Sequence, residues 1–140
     1  MKKIFTLLIA IFLLAGCTGQ ATTSGKSPLP EPMVGGGTYE NYTEERYLEL
    51  KGQKSFALFF HAKWCGECKS IEKNLMKNLS SYPEGVVILK ADYDTETELK
   101  KEFDVKVQTT FVIFDAKGNV TMNKPIFNAE DVIAEIISTL

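Results

Sequence analysis

The sequence predicts an α/β fold, a central mixed β-sheet flanked by helices on both faces. Three patterns carry that expectation. The first is an unbroken apolar run, Phe56-Ala57-Leu58-Phe59-Phe60, followed by Ile71, Leu75 and Leu79 at helical spacing and then by a second run, Val86-Val87-Ile88-Leu89. Strands covered on both faces read as continuous apolar runs, and an i, i+4, i+8 stripe marks a helix with one buried side. Such a βαβ unit has parallel strands and a right-handed crossover. The second pattern is a strand from Thr110 to Phe114, a turn at Asp115-Ala116-Lys117-Gly118 and a strand from Asn119 to Met122, which read as an antiparallel hairpin. The third is a closing helix, Ala129 to Thr139, with Val132, Ile133, Ile136 and Ile137 on its buried side.

Size and composition agree with one such domain plus appendages, since the chain has 140 residues and domains run to about 100–200. Hydrophobic residues at 44% and charged residues at 24% are ordinary for a globular protein, which excludes a wholly disordered chain and a repeat array. Sixteen basic against eighteen acidic residues leave a net charge of −2. Without a long basic run, nothing electrostatic supports a nucleic-acid partner.

The elements follow in order. Met1-Lys2-Lys3 is a positive start, and Ile4 to Ala15 is apolar apart from Thr6. That run is too short for a bilayer, which needs about 20 residues, and fits the apolar region of a secretory signal peptide. It ends in Leu14-Ala15-Gly16-Cys17, which resembles the lipobox of bacterial lipoproteins. The resemblance implies that residues 1–16 are a cleaved lipoprotein signal peptide and that Cys17 carries the lipid. The protein would then lie in the bacterial cell envelope, outside the cytoplasm and anchored to a membrane. Several acyl chains on one residue anchor stably where one binds marginally. Residues 17–37 are rich in Gly, Ser, Thr and Pro without a hydrophobic period, as in a flexible linker. Residues 38–140 form the domain. It begins with a helix over Glu44 to Lys51, with Tyr47, Leu48 and Leu50 on its apolar side, and it includes helices from Cys65 to about Ser80 and from Glu96 to Phe103.

With Cys17 lipidated, Cys65 and Cys68 are the thiols that remain of the three cysteines, in a compartment where disulfides persist. They lie in Trp64-Cys65-Gly66-Glu67-Cys68, between a buried strand and a helix. The thiolate is the reactive form of cysteine, and a helix N-terminus favours an anion through its unpaired N–H groups and dipole. Cys65 stands at that end, at the surface, and Cys68 falls three residues on along the same helix face. Cys65 can attack a substrate disulfide, and Cys68 can then displace the product and close an internal disulfide. The reverse sequence oxidises a dithiol. Two other readings compete. An inert disulfide across so short a loop stabilises weakly. Structural zinc wants four ligands, and Cys65, Cys68 and His61 are one short, so no metal is expected. No cofactor is required, because the pair carries the two electrons. The acidic segment Asp92, Asp94, Glu96, Glu98 and Glu102 reads as a solvated helix start rather than a calcium loop.

The WCxxC motif, the Lys69 after it, the order of elements and the later hairpin resemble the thioredoxin superfamily over about residues 40–140. The resemblance implies a thioredoxin-like fold and a thiol-disulfide oxidoreductase acting on protein thiols and disulfides. Cys65 would be the nucleophile, Cys68 the resolving thiol, and a separate redox partner would recycle them. Gly66 keeps the turn unobstructed, and Trp64 packs beside the site. Glu67 stands where Pro is commoner and opposes thiolate formation at Cys65. Phe59 occupies the position of the family's buried acid, which helps deprotonate the second cysteine. Lys90 matches the lysine beside that acid, with a solvated strand-end lysine as the favoured reading. His61 reads as a half-exposed neighbour of Trp64, with proton carrier as the alternative. The loop Gln108-Thr109-Thr110 faces the substrate and lacks the family's cis-proline. Since a cis bond before a non-proline costs about 2.5–4 kcal/mol, the Gln108–Thr109 bond is expected trans, with the Thr109 hydroxyl near Cys65. A missing proline also leaves the thiols open to a metal bridging two chains. A non-catalytic binding or chaperone module, motivated by Phe59 and Thr109, and a metal-binding protein remain as alternatives.

Overall fold

The computed structural model describes residues 36–140. The expected signal peptide, the expected lipidation at Cys17 and the expected linker up to residue 35 lie outside the described residues. The elements are β1 (Thr38–Asn41), α1 (Glu44–Leu50), β2 (Phe56–His61), α2 (Gly66–Asn78), a single 3-10 turn (Leu79–Ser81), β3 (Val87–Asp92), α3 (Thr97–Glu102), β4 (Thr110–Phe114), β5 (Val120–Pro125) and α4 (Ala129–Ile137). The sheet order is β1-β3-β2-β4-β5. β1 and β2 run parallel to β3, whereas β4 is antiparallel to β2 and to β5. The sheet is therefore mixed, with the expected βαβ unit at its centre.

Period-two alternation divides the fully buried β2 between two cores. Phe56, Leu58 and Phe60 face Tyr47 and Leu50 of α1 and Leu99 of α3. Ala57 and Phe59 face Cys68, Ile71 and Leu75 of α2 and Val132, Ile133 and Ile136 of α4. Each core holds a stacked pair across β2 and β4, Phe56 on Phe114 at 4.5 Å and Phe59 on Phe111 at 4.3 Å between ring centroids. Such pairs add about 0.5–1.5 kcal/mol beyond the area they bury. The helix starts are secured by side chains. Thr43 Oγ1 accepts from Arg46 N at 3.1 Å in α1, and Asn128 Oδ1 accepts from Asp131 N at 2.7 Å in α4. A cap of this kind contributes about 1 kcal/mol.

Several boundaries and faces depart from the sequence expectations. β1 was not anticipated, because its four residues, TYEN, carry too little pattern to stand out from the linker. Leu48 and Ile137 are exposed rather than buried. Each follows directly after a core-facing residue, Tyr47 and Ile136, and is turned about 100° away from it along the helix. β3 extends to Lys90 and Asp92, past its apolar run. β5 runs on to Pro125, which a sheet edge tolerates. The carboxyl end of β2 passes through Ala62, Lys63 and Trp64 into α2, so the cysteine motif lies outside the carboxyl ends of the parallel strands. Ligands of open α/β sheets bind at that end.

Candidate active site

The site is built on the start of α2. Cys65 has extended backbone, φ −81° and ψ 116°, and occupies the N-cap position. Its Sγ accepts a hydrogen bond from the backbone N–H of Cys68 at 3.1 Å. A sulfur thus does what a serine or aspartate oxygen does at most helix starts, in the position where the helix dipole favours negative charge. The two thiols are not joined. Cys68 is fully buried and Cys65 is 6% exposed, so the expected surface thiol is in fact nearly covered. Burial, and then the hydrogen bond with Cys65, push the Cys68 thiol up to about 11, against opposing backbone groups of Ala62 and Thr109.

The rim departs from expectation in two ways. Trp64 does not pack beside the cysteines. It is 62% exposed, and its indole Nε1 donates to Asp94 Oδ2 at 3.0 Å. Gly66 is not required by space, since a Cβ there would meet nothing within 4 Å. Glu67 is exposed in the first turn of α2. Asp92 closes a turn, accepting from Asp94 N at 2.9 Å. Among the described residues no cluster of three or more His, Cys, Asp or Glu side chains is arranged to hold a metal.

Gln108, Thr109 and Thr110 form the facing loop. The Gln108–Thr109 bond is trans, and Thr109 has a φ of +62°, a left-handed conformation that is rare for a β-branched residue. The Thr109 hydroxyl does not reach for Cys65. It donates to the Gln108 carbonyl, and Thr110 Oγ1 donates to the Val107 carbonyl at 2.8 Å. Both hydroxyls satisfy the loop's own backbone. The backbone pins the loop between two strands, with Thr109 N donating to Phe60 O at 2.9 Å and Ile126 N donating to Thr109 O at 3.1 Å.

A family model, Thioredoxin, matches residues 38–138. The chain belongs to the thioredoxin family. It is 37% identical over 73 residues to mitochondrial thioredoxin-3 of Saccharomyces cerevisiae, a match covering 52% of this chain and 56% of that one. With thioredoxin-1 of Caenorhabditis elegans it shares 36% over 75 residues, covering 54% and 64%. The matches therefore span less than two thirds of those relatives' lengths. Among solved structures, oxidised mitochondrial thioredoxin 3 from Saccharomyces cerevisiae superposes with a TM-score of 0.57 at 29% identity, covering 73% of this chain and 93% of that one. Thioredoxin F from spinach chloroplast gives 0.63 at 24% identity, covering 78% and 98%, a likeness of fold.

Behind the cysteines this thioredoxin domain has a polar cluster that the sequence reading did not assemble. Phe59 is fully buried against Phe111, with its ring edge-on to His61 at 5.4 Å. Lys90, opposite Phe59 in the sheet, is no solvated strand end: its Nζ donates to Glu72 Oε1 at 2.8 Å. Tyr39 OH donates to the same oxygen at 3.1 Å. His61 is 6% exposed rather than half-exposed, and its Nε2 lies 3.2 Å from Glu72 Oε2 without the alignment of a hydrogen bond. Burial raises the Glu72 carboxyl, but Lys90, His61 and Tyr39 outweigh it and hold it below the usual carboxylate range. Glu72 itself was missed. The signal available was its place four residues after Cys68.

Proposed function

We propose that this protein is an extracytoplasmic thiol-disulfide oxidoreductase, anchored to a bacterial membrane through Cys17, that exchanges disulfides with other proteins. The observation that carries the reading is the Cys65 sulfur capping α2, 3.1 Å from the Cys68 amide, with Cys68 buried beneath it. In the reducing direction the Cys65 thiolate attacks a substrate disulfide, one substrate sulfur leaves as thiolate, and a mixed disulfide forms. Cys68 loses its proton and attacks Cys65 Sγ, and the second substrate thiol is released as the Cys65–Cys68 bond closes. Two electrons pass from the pair to the substrate, and a redox partner returns them. Three large apolar side chains are exposed on residues next in sequence to the two facing segments: Trp64 before Cys65, Val107 before the Thr109 loop, and Phe127 after Ile126. A polypeptide substrate would cover such a rim.

Turnover of a disulfide-bonded protein substrate by the wild type and by Cys65→Ser tests the reading. Loss of turnover in the variant is expected, whereas equal rates would leave a non-catalytic binding module. Anchoring rests on Met1 to Cys17. It predicts incorporation of labelled palmitate in a bacterial host and none in Cys17→Ser. The equilibrium potential against glutathione gives the direction of electron flow, with 30 mV equal to about 1.4 kcal/mol.

A further inference from the structure

The geometry points to the His61–Glu72 pair, one helical turn behind Cys68, as the group that takes the proton from the resolving thiol. This rests on the exchange reading above and adds the residues that make its second step possible. Cys68 must become a thiolate to attack the mixed disulfide, yet it is fully buried. Glu72 lies four residues further along α2, a rise of about 6 Å. Helical side chains lean toward the N-terminus and over the residue four before them. Glu72 therefore leans over the turn that begins at Cys68, and Tyr39, which donates to Glu72, lies close enough to Cys68 to interact with both. Lys90 and Tyr39 both hold its Oε1, leaving Oε2 to face His61.

His61 supplies the second, independent observation. Its Nε2 is buried and unpartnered, yet stands 3.2 Å from a carboxylate oxygen. An unpaired buried ring nitrogen is costly, and protonation cures this one by making it a donor to Glu72. His61 also lines an open pocket of about 390 Å³, together with Asn41, Lys63, Lys90 and Asp92. The proton accordingly has a place to rest and a way out to water.

The Cys68 thiol proton passes to Glu72 and on to neutral His61, leaving Glu72 ionised and His61 cationic. The Cys68 thiolate attacks Cys65 Sγ, the Cys65–Cys68 bond forms and the Cys65–substrate bond breaks. The departing substrate sulfur takes the electron pair and is reduced. His61 then loses its proton through the pocket. The charged and titratable groups around His61 are Glu72 from α2, Lys90 and Asp92 from β3, and Tyr42, Lys63 and Glu96 at the pocket, while Tyr39 and Cys68 border Glu72. Burial lowers the imidazole below its ordinary value of 6.5 and Lys90 lowers it further, while Glu72 and Asp92 pull the other way. At neutral pH it is therefore in the accepting form.

The test uses 5,5′-dithiobis(2-nitrobenzoate) with the reduced protein. Attack by Cys65 releases one coloured thiolate, and closure by Cys68 releases the second. The wild type is expected to slow its second release at acid pH, with an inflection below 6.5. Glu72→Gln and His61→Gln are each expected to slow the second release relative to the first at least fivefold at pH 7, and to lose the inflection. Lys90→Met keeps the inflection and moves it to higher pH, which a merely structural role for the cluster would not do. If both glutamine variants close at the wild-type rate with the wild-type pH profile, the proposal is overturned while the exchange reading stands. A wild type that never makes the first release overturns the exchange reading and this proposal together.

Discussion

Thr109 carries a backbone conformation that its side chain disfavours, and its amide is committed to Phe60 O at 2.9 Å. Proline fixes φ near −65° and has no N–H to give. Thr109→Pro is therefore expected to lose about 3 kcal/mol or more in chemical denaturation, even though it restores the residue type usual for the family. Thr109→Gly, relaxed at positive φ, is expected to gain up to about 1 kcal/mol. Gly66 gives the opposite case of a glycine that nothing demands. Gly66→Ala is expected to stabilise α2 by roughly 0.5–1 kcal/mol. The Cys68 thiol sets a pH dependence of its own. Its folded value, about 11 against 9.0 unperturbed, is raised, so the folded state holds the proton more tightly than the unfolded state. The reduced protein should hold its stability below pH 9 and lose part of it as pH rises toward 11. Denaturation midpoints of wild type and Cys68→Ala, compared across that window, check the sign.

Strands and helices here bring together what their own sequences do not announce. The apolar runs of β2 and β3, the stripe of α2 and the hairpin β4–β5 were legible because buried elements leave a period. β1 was not, being four residues of edge strand. Yet β1 sets Tyr39 beside Ile88 and Asn41 beside Lys90, and so supplies the hydroxyl that donates to Glu72. Glu72 was equally hidden, because a Glu-Lys pair inside an amphipathic helix looks like a solvated face. Only the register that sets Lys90 beside Phe59 shows where its charge goes. β2 contributes two stiff aromatic contacts at Phe59 and no polar partner. Phe59→Asp would bury a carboxylate among rings, at a cost of several kcal/mol. A midpoint unchanged in urea would show that the acid position on β2 is still open.

The whole domain is legible as a class and opaque in its chemistry. Alternating runs and turns specify a mixed sheet between helix layers, and the WCxxC spacing marks the carboxyl end of β2. The sequence could not reveal that Cys65 is almost covered, that Trp64 stands off on Asp94, or that the proton-handling carboxylate lies on a helix. Those are consequences of packing between segments far apart in the chain. Everything functional depends on a division of labour between two sulfurs, one at a helix end accepting from an amide, one buried and protonated. Alkylating the reduced protein with iodoacetamide at pH 7, and locating the adducts by peptide mass spectrometry over time, tests this most directly. The account predicts fast modification confined to Cys65, with Cys68 protected until the protein unfolds or the pH nears 11. Equal labelling of both thiols, or faster labelling of Cys68, would contradict it.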